Sequence, residues 1–175
     1  LDSILGRGGW SFGQYVGAEQ VHGNGIAHVD HVQPEVRAVD GLVTGKSGLV
    51  LGVKTADCVP LLLADPDARI VAAVHAGWRG TIAEIAMKAV AAMVAKGANP
   101  AAIRVSIGPH IGACCYSVSS DRAARFIEYF GDQSGIVTKE GDGWYLDLGK
   151  ANAHLLTKMG VHPDYIEINE LCTSC

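Results

Sequence analysis

Two apolar segments of strand length, joined by only a few residues, constrain the fold of this chain more than any other feature. Val59–Ala64 and Ile70–His75 are rich in aliphatic and β-branched residues, which is typical of buried strands. The connection contains Asp65-Pro66-Asp67-Ala68, a composition that favours a tight turn. Because so short a connection cannot join parallel strands, the pattern predicts an antiparallel β-hairpin.

Further strands and helices are predicted around this hairpin. Thr81 with Glu84 forms a capping-box pattern, and apolar residues then recur at helical spacing until Lys96 and Gly97 end the helix. The other predicted elements are strands at Leu49–Val53, Ile103–Ile107, Trp144–Leu148 and Tyr165–Ile168, and helices starting at Ser119 or Ser120 and spanning Gly149–Met159. Strands and helices are interspersed, which predicts an α+β fold with helices packed outside a mixed or largely antiparallel sheet.

Composition indicates one folded domain. Of the 175 residues, 49% are hydrophobic and 18% are charged, which excludes a disordered chain. Without a repeat, a linker or a low-complexity tract, residues 1–175 are predicted to form a single domain. The formal net charge of −4 argues against a broad nucleic-acid surface. There is neither an apolar run of membrane-spanning length nor a signal-peptide pattern, so we expect a cytoplasmic protein. We also expect a monomer with small-molecule partners.

The predicted hairpin places a thiol beside an imidazole. With the turn centred between Pro66 and Asp67, Cys58 lies opposite His75 on one face of the sheet, with Cβ atoms ~4.5–5.5 Å apart. A single bulge would move the two side chains to opposite faces. Such a pair can supply two ligands of a zinc site, or it can act as a thiolate–imidazolium nucleophile. The alternative is a purely structural role, in which a small buried cysteine packs beside a hydrogen-bonded histidine.

The segment that follows the second strand suits an anion. His75-Ala76-Gly77-Trp78-Arg79-Gly80-Thr81 joins a strand to a helix through two glycines. Free backbone N–H groups at such a junction attract anions, and Arg79 could hold a phosphate or carboxylate group. A zinc site also needs a third ligand, and the residues alone do not choose between His22 and His110.

Several motifs occur here in a fixed order that resembles a known family. The motifs are Gln20-Val21-His22-Gly23, Asp40-Gly41-Leu42-Val43-Thr44, Thr55-Ala56-Asp57-Cys58-Val59-Pro60, His75-Ala76-Gly77-Trp78-Arg79-Gly80, Gly108-Pro109, Cys114-Cys115-Tyr116, Tyr145-Leu146-Asp147-Leu148, Asn152 and Cys172-Thr173. Over about Glu19 to Cys175 the sequence resembles the laccase-domain family, also called the polyphenol oxidoreductase family and now regarded as purine nucleoside phosphorylases.

The resemblance implies a fold, a metal site and an activity. The implied fold is a four-layer α/β/β/α arrangement with mixed, largely antiparallel sheets and helices outside. The implied metal is zinc, earlier described as copper, held by His22, Cys58 and His75. The implied chemistry is phosphorolysis of adenosine, inosine, guanosine and methylthioadenosine, together with deamination of adenosine. Zinc can lower the pKa of bound water to about 7, which suits the deamination.

Roles for the neighbouring residues follow from the same resemblance. Arg7, Arg79 and Gln20 are expected to bind substrate, the two arginines as holders of phosphate beside the ribose. Asp57 is expected to act with Cys58 and His75, either by orienting a ligand or by moving a proton. A plain hydrogen bond to the backbone in the turn before Pro60 is the alternative for Asp57.

The sequence also departs from the family pattern. Arg7-Gly8-Gly9 begins a shortened version of the family's opening motif, only Tyr15–Glu19 precede the QVHG motif, and the family's tail beyond the last motif is absent. We therefore expect missing pieces at both ends and near residues 15–19. Ser117 replaces a common glutamate, which leaves the role of that carboxylate open.

Three other functions stay open at this point. They are a metal-free hydrolase or amidase that uses Cys58 and His75, a copper-dependent polyphenol oxidase, and a scaffold in which a metal only holds the chain together. Cys114, Cys115, Cys172 and Cys175 are expected to have structural roles, because vicinal cysteines usually pack and one CxxC is a weak metal signal.

Overall fold

A computed structural model describes residue 9, residues 11–131 and residues 135–175. The strands are β1 Tyr15–Ala18, β2 Ile26–His28, β3 Glu35–Val36, β4 Gly41–Thr44, β5 Val50–Gly52, β6 Val59–Asp65, β7 Ile70–Ala76, β8 Arg104–Ile107, β9 Ser117–Val118, β10 Val137–Glu140, β11 Gly143–Leu146 and β12 Ile166–Ile168. The α-helices are α1 Trp78–Ile82, α2 Ile85–Val94, α3 Ser120–Phe130 and α4 Leu148–Lys158.

The strands of the described residues form three sheets. A six-stranded sheet has the order β12-β8-β6-β7-β4-β2, and two three-stranded sheets have the orders β3-β1-β5 and β10-β11-β9. The central part of the six-stranded sheet, from β8 to β4, is antiparallel, whereas its outer strands β12 and β2 pair in parallel. The predicted α+β class with mixed sheets is therefore confirmed.

The six-stranded sheet separates two apolar clusters. Adjacent strand residues point to opposite faces, so Val43 of β4 packs in the larger cluster and Leu42 in the smaller one. The larger cluster includes residues of α2, α3 and α4, with α1 side chains packed against it. The smaller cluster lies between the six-stranded sheet and β1, β3 and β5. The six-stranded sheet, which contains the β6–β7 hairpin, is therefore covered by helices on one face and by the sheet of β1, β3 and β5 on the other.

The register of this hairpin differs from the prediction: the residue opposite His75 lies two positions further along β6 than expected. Pro60, not Cys58, lies opposite His75, because the turn is Pro66–Arg69. The carboxylate of Asp65 accepts hydrogen bonds from the N–H groups of Asp67 and Ala68, and Arg69 has a left-handed φ of 57°. The turn is thus centred one residue later than expected. Since this shift preserves the alternation of faces, Cys58 still lies on the same side as His75, diagonally rather than directly opposite.

The predicted capping box at the start of the next helix is wrong. Helix α1 already begins at Trp78, and Thr81 is buried inside it, where its hydroxyl accepts a hydrogen bond from Asn152. Glu84 does not cap a helix through its side chain, but has a left-handed φ of 64° that separates α1 from α2. Its carboxylate instead accepts a hydrogen bond from Tyr129 on α3. Contacts between distant elements therefore determine where these helices begin.

The start of α3 at Ser119 and the end of α2 before Gly97 agree with the prediction. Ser119 caps α3 by accepting a hydrogen bond from the N–H group of Arg122. Gly131 and Gly97 follow their helices with φ of 72° and 104°, respectively. Such backbone conformations are accessible to glycine at little steric cost.

Candidate metal centre

Three side chains from distant parts of the chain meet at one end of the β6–β7 hairpin. His22 lies in the loop after β1, Cys58 directly precedes β6, and His75 lies near the end of β7. Their potential ligand atoms all lie within 4.8 Å of one another. The two imidazole rings meet edge to face, with centroids 4.8 Å apart. The structure therefore brings together the residues that the resemblance implied as metal ligands.

A buried carboxylate holds two of these three residues in place. Asp40, directly before β4, is fully buried. Its Oδ1 accepts hydrogen bonds from Nδ1 of His75 at 2.8 Å and from the N–H group of His22 at 2.9 Å. Its Oδ2 accepts from the N–H groups of Gly23 at 2.8 Å and Val21 at 3.3 Å. One carboxylate thus orients the ring of His75 and the loop that carries His22.

The charge state of Asp40 fixes the tautomer of His75. Burial by itself would raise the pKa of Asp40, but the hydrogen bonds from His75, Gly23, Val21 and His22 outweigh it and lower the pKa. The group is therefore a carboxylate at neutral pH and accepts the proton of Nδ1. This leaves Nε2 of His75 as the free donor atom, the arrangement found for histidines that bind metals.

The loop that carries His22 has a strained backbone at the histidine itself. His22 has a left-handed φ of 56°, which is uncommon for residues other than glycine, although histidine adopts it more often than most. The three N–H groups of Val21, His22 and Gly23 converge on Asp40, which stabilises this conformation. Strain of this kind is concentrated at functional sites.

The space around the three donors is kept open by a glycine. A Cβ atom at Gly77 would lie 3.2 Å from Sγ of Cys58, 3.4 Å from Cδ2 of His22 and 4.0 Å from Cε1 of His75. A Cβ atom at this position would press on Sγ of Cys58 and would touch the rings of both histidines. Two imidazoles and one thiol form a donor set that suits zinc, and thiolate and imidazole also bind copper. The residues present thus fit a metal ion.

The electrostatics of Cys58 do not favour a nucleophile without a metal. Burial raises the pKa of the Cys58 thiol, and the negative charges of Asp57 and Asp40 raise it further. Nucleophilic cysteines are usually found where the pKa is lowered. A metal ion would instead deprotonate a coordinating thiol directly.

Two arginines stack on the tryptophan that begins α1. The guanidinium carbons of Arg79 and Arg122 lie 4.6 and 4.5 Å from the ring centre of Trp78. Arg122, on α3, also donates a hydrogen bond of 3.5 Å to the Tyr116 hydroxyl. Burial raises the pKa of Tyr116, and its titration is also influenced by the charges of Arg122, Cys58 and Arg79. These contacts place two positive charges around Trp78, one of them hydrogen-bonded to Tyr116.

The structure gives Asp57 and Gln20 contacts of their own. Oδ1 of Asp57 accepts a hydrogen bond of 2.7 Å from the Thr173 hydroxyl. The amide of Gln20 makes two hydrogen bonds with the backbone of Lys54, one with its carbonyl oxygen at 2.8 Å and one with its N–H group at 2.7 Å. Gln20 thereby ties the His22 loop to the segment that leads to Cys58. The third predicted substrate-binding residue, Arg7, lies outside the described residues.

His110, the other candidate for the third ligand, lies elsewhere. It is buried, and its Nδ1 is 2.9 Å from the carbonyl oxygen of Gly108. Its Nε2 lies next to Gly149 at the start of α4, where a Cβ atom would approach it to 2.6 Å. Geometry thus distinguishes His22 from His110, which the sequence could not.

Sequence reasoning did not assign roles to Asp40 and Arg122. Asp40 lies in one of the motifs that carry the family resemblance, and its place in that motif was the available signal. Arg122 carried no such signal, because its position beside Trp78 depends on how α3 packs.

Together these features define a mixed α/β protein with a candidate metal centre of two histidines and one cysteine, supported by a buried aspartate. Residues 4–175 match the family described as multi-copper polyphenol oxidoreductase laccase, and the chain belongs to this family. The chain is 40% identical over 153 residues to a purine nucleoside phosphorylase of Deinococcus radiodurans, covering 87% of this chain and 59% of that protein.

Two further relatives agree with this assignment. Adenosine deaminase RL5, from an unknown prokaryotic organism, is 37% identical over 149 residues, which cover 84% of this chain and 57% of RL5. The crystal structure of YlmD from Geobacillus stearothermophilus has a TM-score of 0.92 at 34% identity, covering 99% of this chain and 68% of YlmD. The chain thus spans less than two thirds of the length of the first two relatives. Their names support a nucleoside-processing function at the level of the family. Among the described helices, none combines the length and apolar character needed to cross a membrane.

Proposed function

We propose that this protein is a zinc-dependent purine nucleoside phosphorylase that acts on adenosine, inosine, guanosine and methylthioadenosine and also deaminates adenosine. The observation that carries the proposal is the convergence of His22, Cys58 and His75, with donor atoms within 4.8 Å of one another. The names of the relatives support the substrate class. Zinc is proposed because structural and catalytic zinc sites use imidazole and thiolate ligands.

His22, Cys58 and His75 would hold the metal. Three protein ligands leave a coordination position for water or substrate, and bound zinc supplies Lewis acidity and activation of water. The carboxylate of Asp40 keeps the proton of His75 on Nδ1 and so keeps Nε2 available. Asp40 is therefore proposed as a positioning residue.

Phosphorolysis requires that inorganic phosphate be held beside the sugar. An oxygen of phosphate bonds to the anomeric carbon of the ribose, the bond from this carbon to the purine nitrogen breaks, and the nitrogen takes up a proton. The products are ribose 1-phosphate and the free base. Arg79 is proposed to hold the phosphate, and Arg122, which stacks on the same Trp78 ring, is the second cation available for this role. Arginine suits phosphate because its guanidinium group can donate two parallel hydrogen bonds.

Asp57 and Gln20 are proposed to shape the site. Asp57 binds Thr173 through one oxygen and precedes Cys58 in the chain, so it can orient the ligand loop. Proton transfer by its second oxygen belongs to the same proposal. Gln20, hydrogen-bonded to the backbone of Lys54, positions the loops of His22 and Cys58 relative to each other. Contact of Gln20 with substrate remains a prediction.

Product analysis tests the proposal. The full chain, purified with its metal, is incubated with adenosine and inorganic phosphate, and the products are separated by chromatography. We expect adenine with ribose 1-phosphate, and inosine from the deamination. Free ribose in place of ribose 1-phosphate would contradict phosphorolysis, and activity that survives complete removal of metal would favour the cysteine hydrolase instead.

A pair of matched variants connects the activity to the cluster. His75→Ala should abolish both reactions and lower the metal content, whereas His31→Ala should leave both unchanged. His31 is a suitable control because its side chain is 73% exposed and pairs with its exposed neighbour Asp30. Reconstitution of the metal-free protein with zinc or with copper, one at a time, then identifies the metal that supports turnover.

A further inference from the structure

Four of the five cysteines form a second cluster that the proposed reaction does not use. Cys114 and Cys115 follow β8 in a loop, while Cys172 and Cys175 lie after β12. The four Sγ atoms all lie within 4.8 Å of one another. A parallel bridge between His110 and Cys172 and a hydrogen bond from the N–H group of Thr173 to the carbonyl oxygen of His110 hold the two segments side by side.

The spacing of the sulfur atoms is close to that of a tetrahedral metal site. A zinc–sulfur bond of about 2.3 Å in a tetrahedron implies sulfur atoms about 3.8 Å apart. Sγ of Cys114 and Sγ of Cys175 are 3.7 Å apart. Since no pair in the cluster exceeds 4.8 Å, the longest distances would need to contract by about 1 Å at most.

The backbone around Cys172 is arranged to stabilise a thiolate. The N–H groups of Gly112 and Ser174 donate hydrogen bonds to Sγ of Cys172 at 3.3 and 3.4 Å. Donors from the residues that follow the first cysteine of a CxxC pair would also stabilise a coordinating sulfur.

Four thiols this close cannot all ionise without a cation between them. A divalent metal ion would remove this conflict, because it deprotonates coordinating thiols.

A glycine also keeps this cluster accessible to an ion. A Cβ atom at Gly112 would lie 3.2 Å from Sγ of Cys114 and 3.7 Å from Sγ of Cys172. The cluster therefore resembles the first one in having a glycine where a side chain would press on the donor atoms.

We propose that Cys114, Cys115, Cys172 and Cys175 bind one zinc ion in a closed tetrathiolate site, separate from the cluster of His22, Cys58 and His75. Four protein ligands leave no position for substrate, so the role is structural. The ion joins the loop after β8 to the segment after β12. This segment carries Thr173, whose hydroxyl binds Asp57 beside Cys58, so the second site supports the first from outside.

Metal content in cluster-specific variants tests this inference independently of the nucleoside reaction. The full chain is purified without chelator in a reductant that does not bind zinc, and zinc is measured by mass spectrometry. Cys58→Ser should retain one zinc ion per chain. The triple variant with Cys58→Ser, Cys172→Ser and Cys175→Ser should retain none. Equal zinc in the two variants, or no zinc in Cys58→Ser, would overturn the proposal, whether or not the protein cleaves nucleosides.

Spectroscopy and thiol counting exclude the remaining explanations. X-ray absorption at the zinc edge of Cys58→Ser should show sulfur at about 2.3 Å and no nitrogen ligand; nitrogen ligands, or iron in place of zinc, would overturn the assignment. Denaturation in chelator without reductant should release all five thiols of the chain, and a smaller number would indicate disulfides instead. The zinc measurement is repeated with Cys114→Ser, a substitution at an exposed position. Circular dichroism checks that this variant is folded.

Discussion

Asp40 and His75 make two hydrogen bonds with each other, one between backbones and one between side chains. The N–H group of His75 donates to the carbonyl oxygen of Asp40 at 2.7 Å, and Nδ1 of His75 lies 2.8 Å from Oδ1 of Asp40. The first bond belongs to the pairing of β4 with β7, whose register sets Gly41 opposite Val74. The sheet therefore positions the aspartate, and the aspartate orients the imidazole ring.

Asp40→Asn tests this arrangement. An amide cannot accept from all four donors that now point at the carboxylate, and one of its own N–H groups would face them. We expect the affinity for zinc to fall by about 10- to 100-fold, the usual effect of losing a partner behind a metal-binding histidine. Competition with a chromophoric chelator measures this affinity. Asp30→Asn, at an exposed carboxylate, is the control, and equal affinities in the two variants would contradict the role of Asp40.

Gly77→Ala tests the space around the three donors. The backbone at Gly77 has φ −74° and ψ 173°, which alanine adopts without strain, so the fold should tolerate the change. The new Cβ atom, 3.2 Å from Sγ of Cys58, should displace the sulfur and weaken metal binding.

We expect a clear loss of zinc affinity with a change in Tm below about 4 °C, or about 1 kcal/mol for a chain of this size. Chelator competition and thermal melting measure the two quantities. Gly45→Ala, where the Cβ atom would meet only ordinary contacts at 3.6 and 4.0 Å, is the matched control. A large loss of stability with unchanged affinity would show that Gly77 serves the fold instead.

Arg122→Ala tests the second cation beside Trp78. If Arg122 helps to hold phosphate, its removal should raise KM for phosphate by about 10- to 100-fold, as expected for losing a charged hydrogen bond of about 1.5–3 kcal/mol. Its effect on the zinc content and on KM for the nucleoside should be small. Steady-state kinetics with phosphate as the varied substrate measures this. Arg125→Ala, an exposed residue of the same helix, should change neither constant, and identical behaviour of both variants would remove Arg122 from the site.

Asp65→Asn tests the hairpin turn and its dependence on pH. Hydrogen bonds from the N–H groups of Ala68, Asn99 and Asp67 lower the pKa of Asp65, in that order of size, against the opposing effect of burial. A lowered pKa in the folded state means that the carboxylate stabilises the protein above the unfolded pKa of about 3.9, and that this contribution is lost as the pH falls.

At pH 7, Asp65→Asn should therefore reduce the free energy of unfolding by about 1–3 kcal/mol. The difference from the wild type should shrink as the pH falls below about 4. Urea denaturation at both pH values measures it. Asp67→Asn, at an exposed turn position, is the control, and a difference independent of pH would contradict the assignment to the carboxylate.

The β6–β7 hairpin shows which structural features could be predicted from the sequence and which could not. Short runs of aliphatic and β-branched residues identified both strands, and the Pro66–Asp67 composition located the turn, but not its register. That register depends on the left-handed conformation of Arg69, and arginine has no local signature for it. The same holds for Glu84, where a left-handed residue divides a helix that the apolar periodicity predicted as continuous.

The two cysteine-containing clusters show a second reason why part of the structure could not be predicted from the sequence. Cys58 and His75 belong to one hairpin, so local pairing placed them on one face of the sheet. Cys114 and Cys175 are separated by 61 positions, and the pairing of β8 with β12, continued by the bridge between His110 and Cys172, brings their segments together. Because a contact of this kind arises from the packing of the whole sheet, the spacing of CxxC alone could not reveal it.

The buried carboxylate of Asp40 also has a thermodynamic consequence. It orders the amides of residues 21–23 and the ring of His75 during folding, so little conformational entropy remains to be lost when an ion arrives. Binding and local opening of this loop are then linked, and an ion that binds only the closed form lowers the population of the open form. Hydrogen exchange at these amides should slow when the metal is added, and their protection would report occupancy of the centre without any turnover.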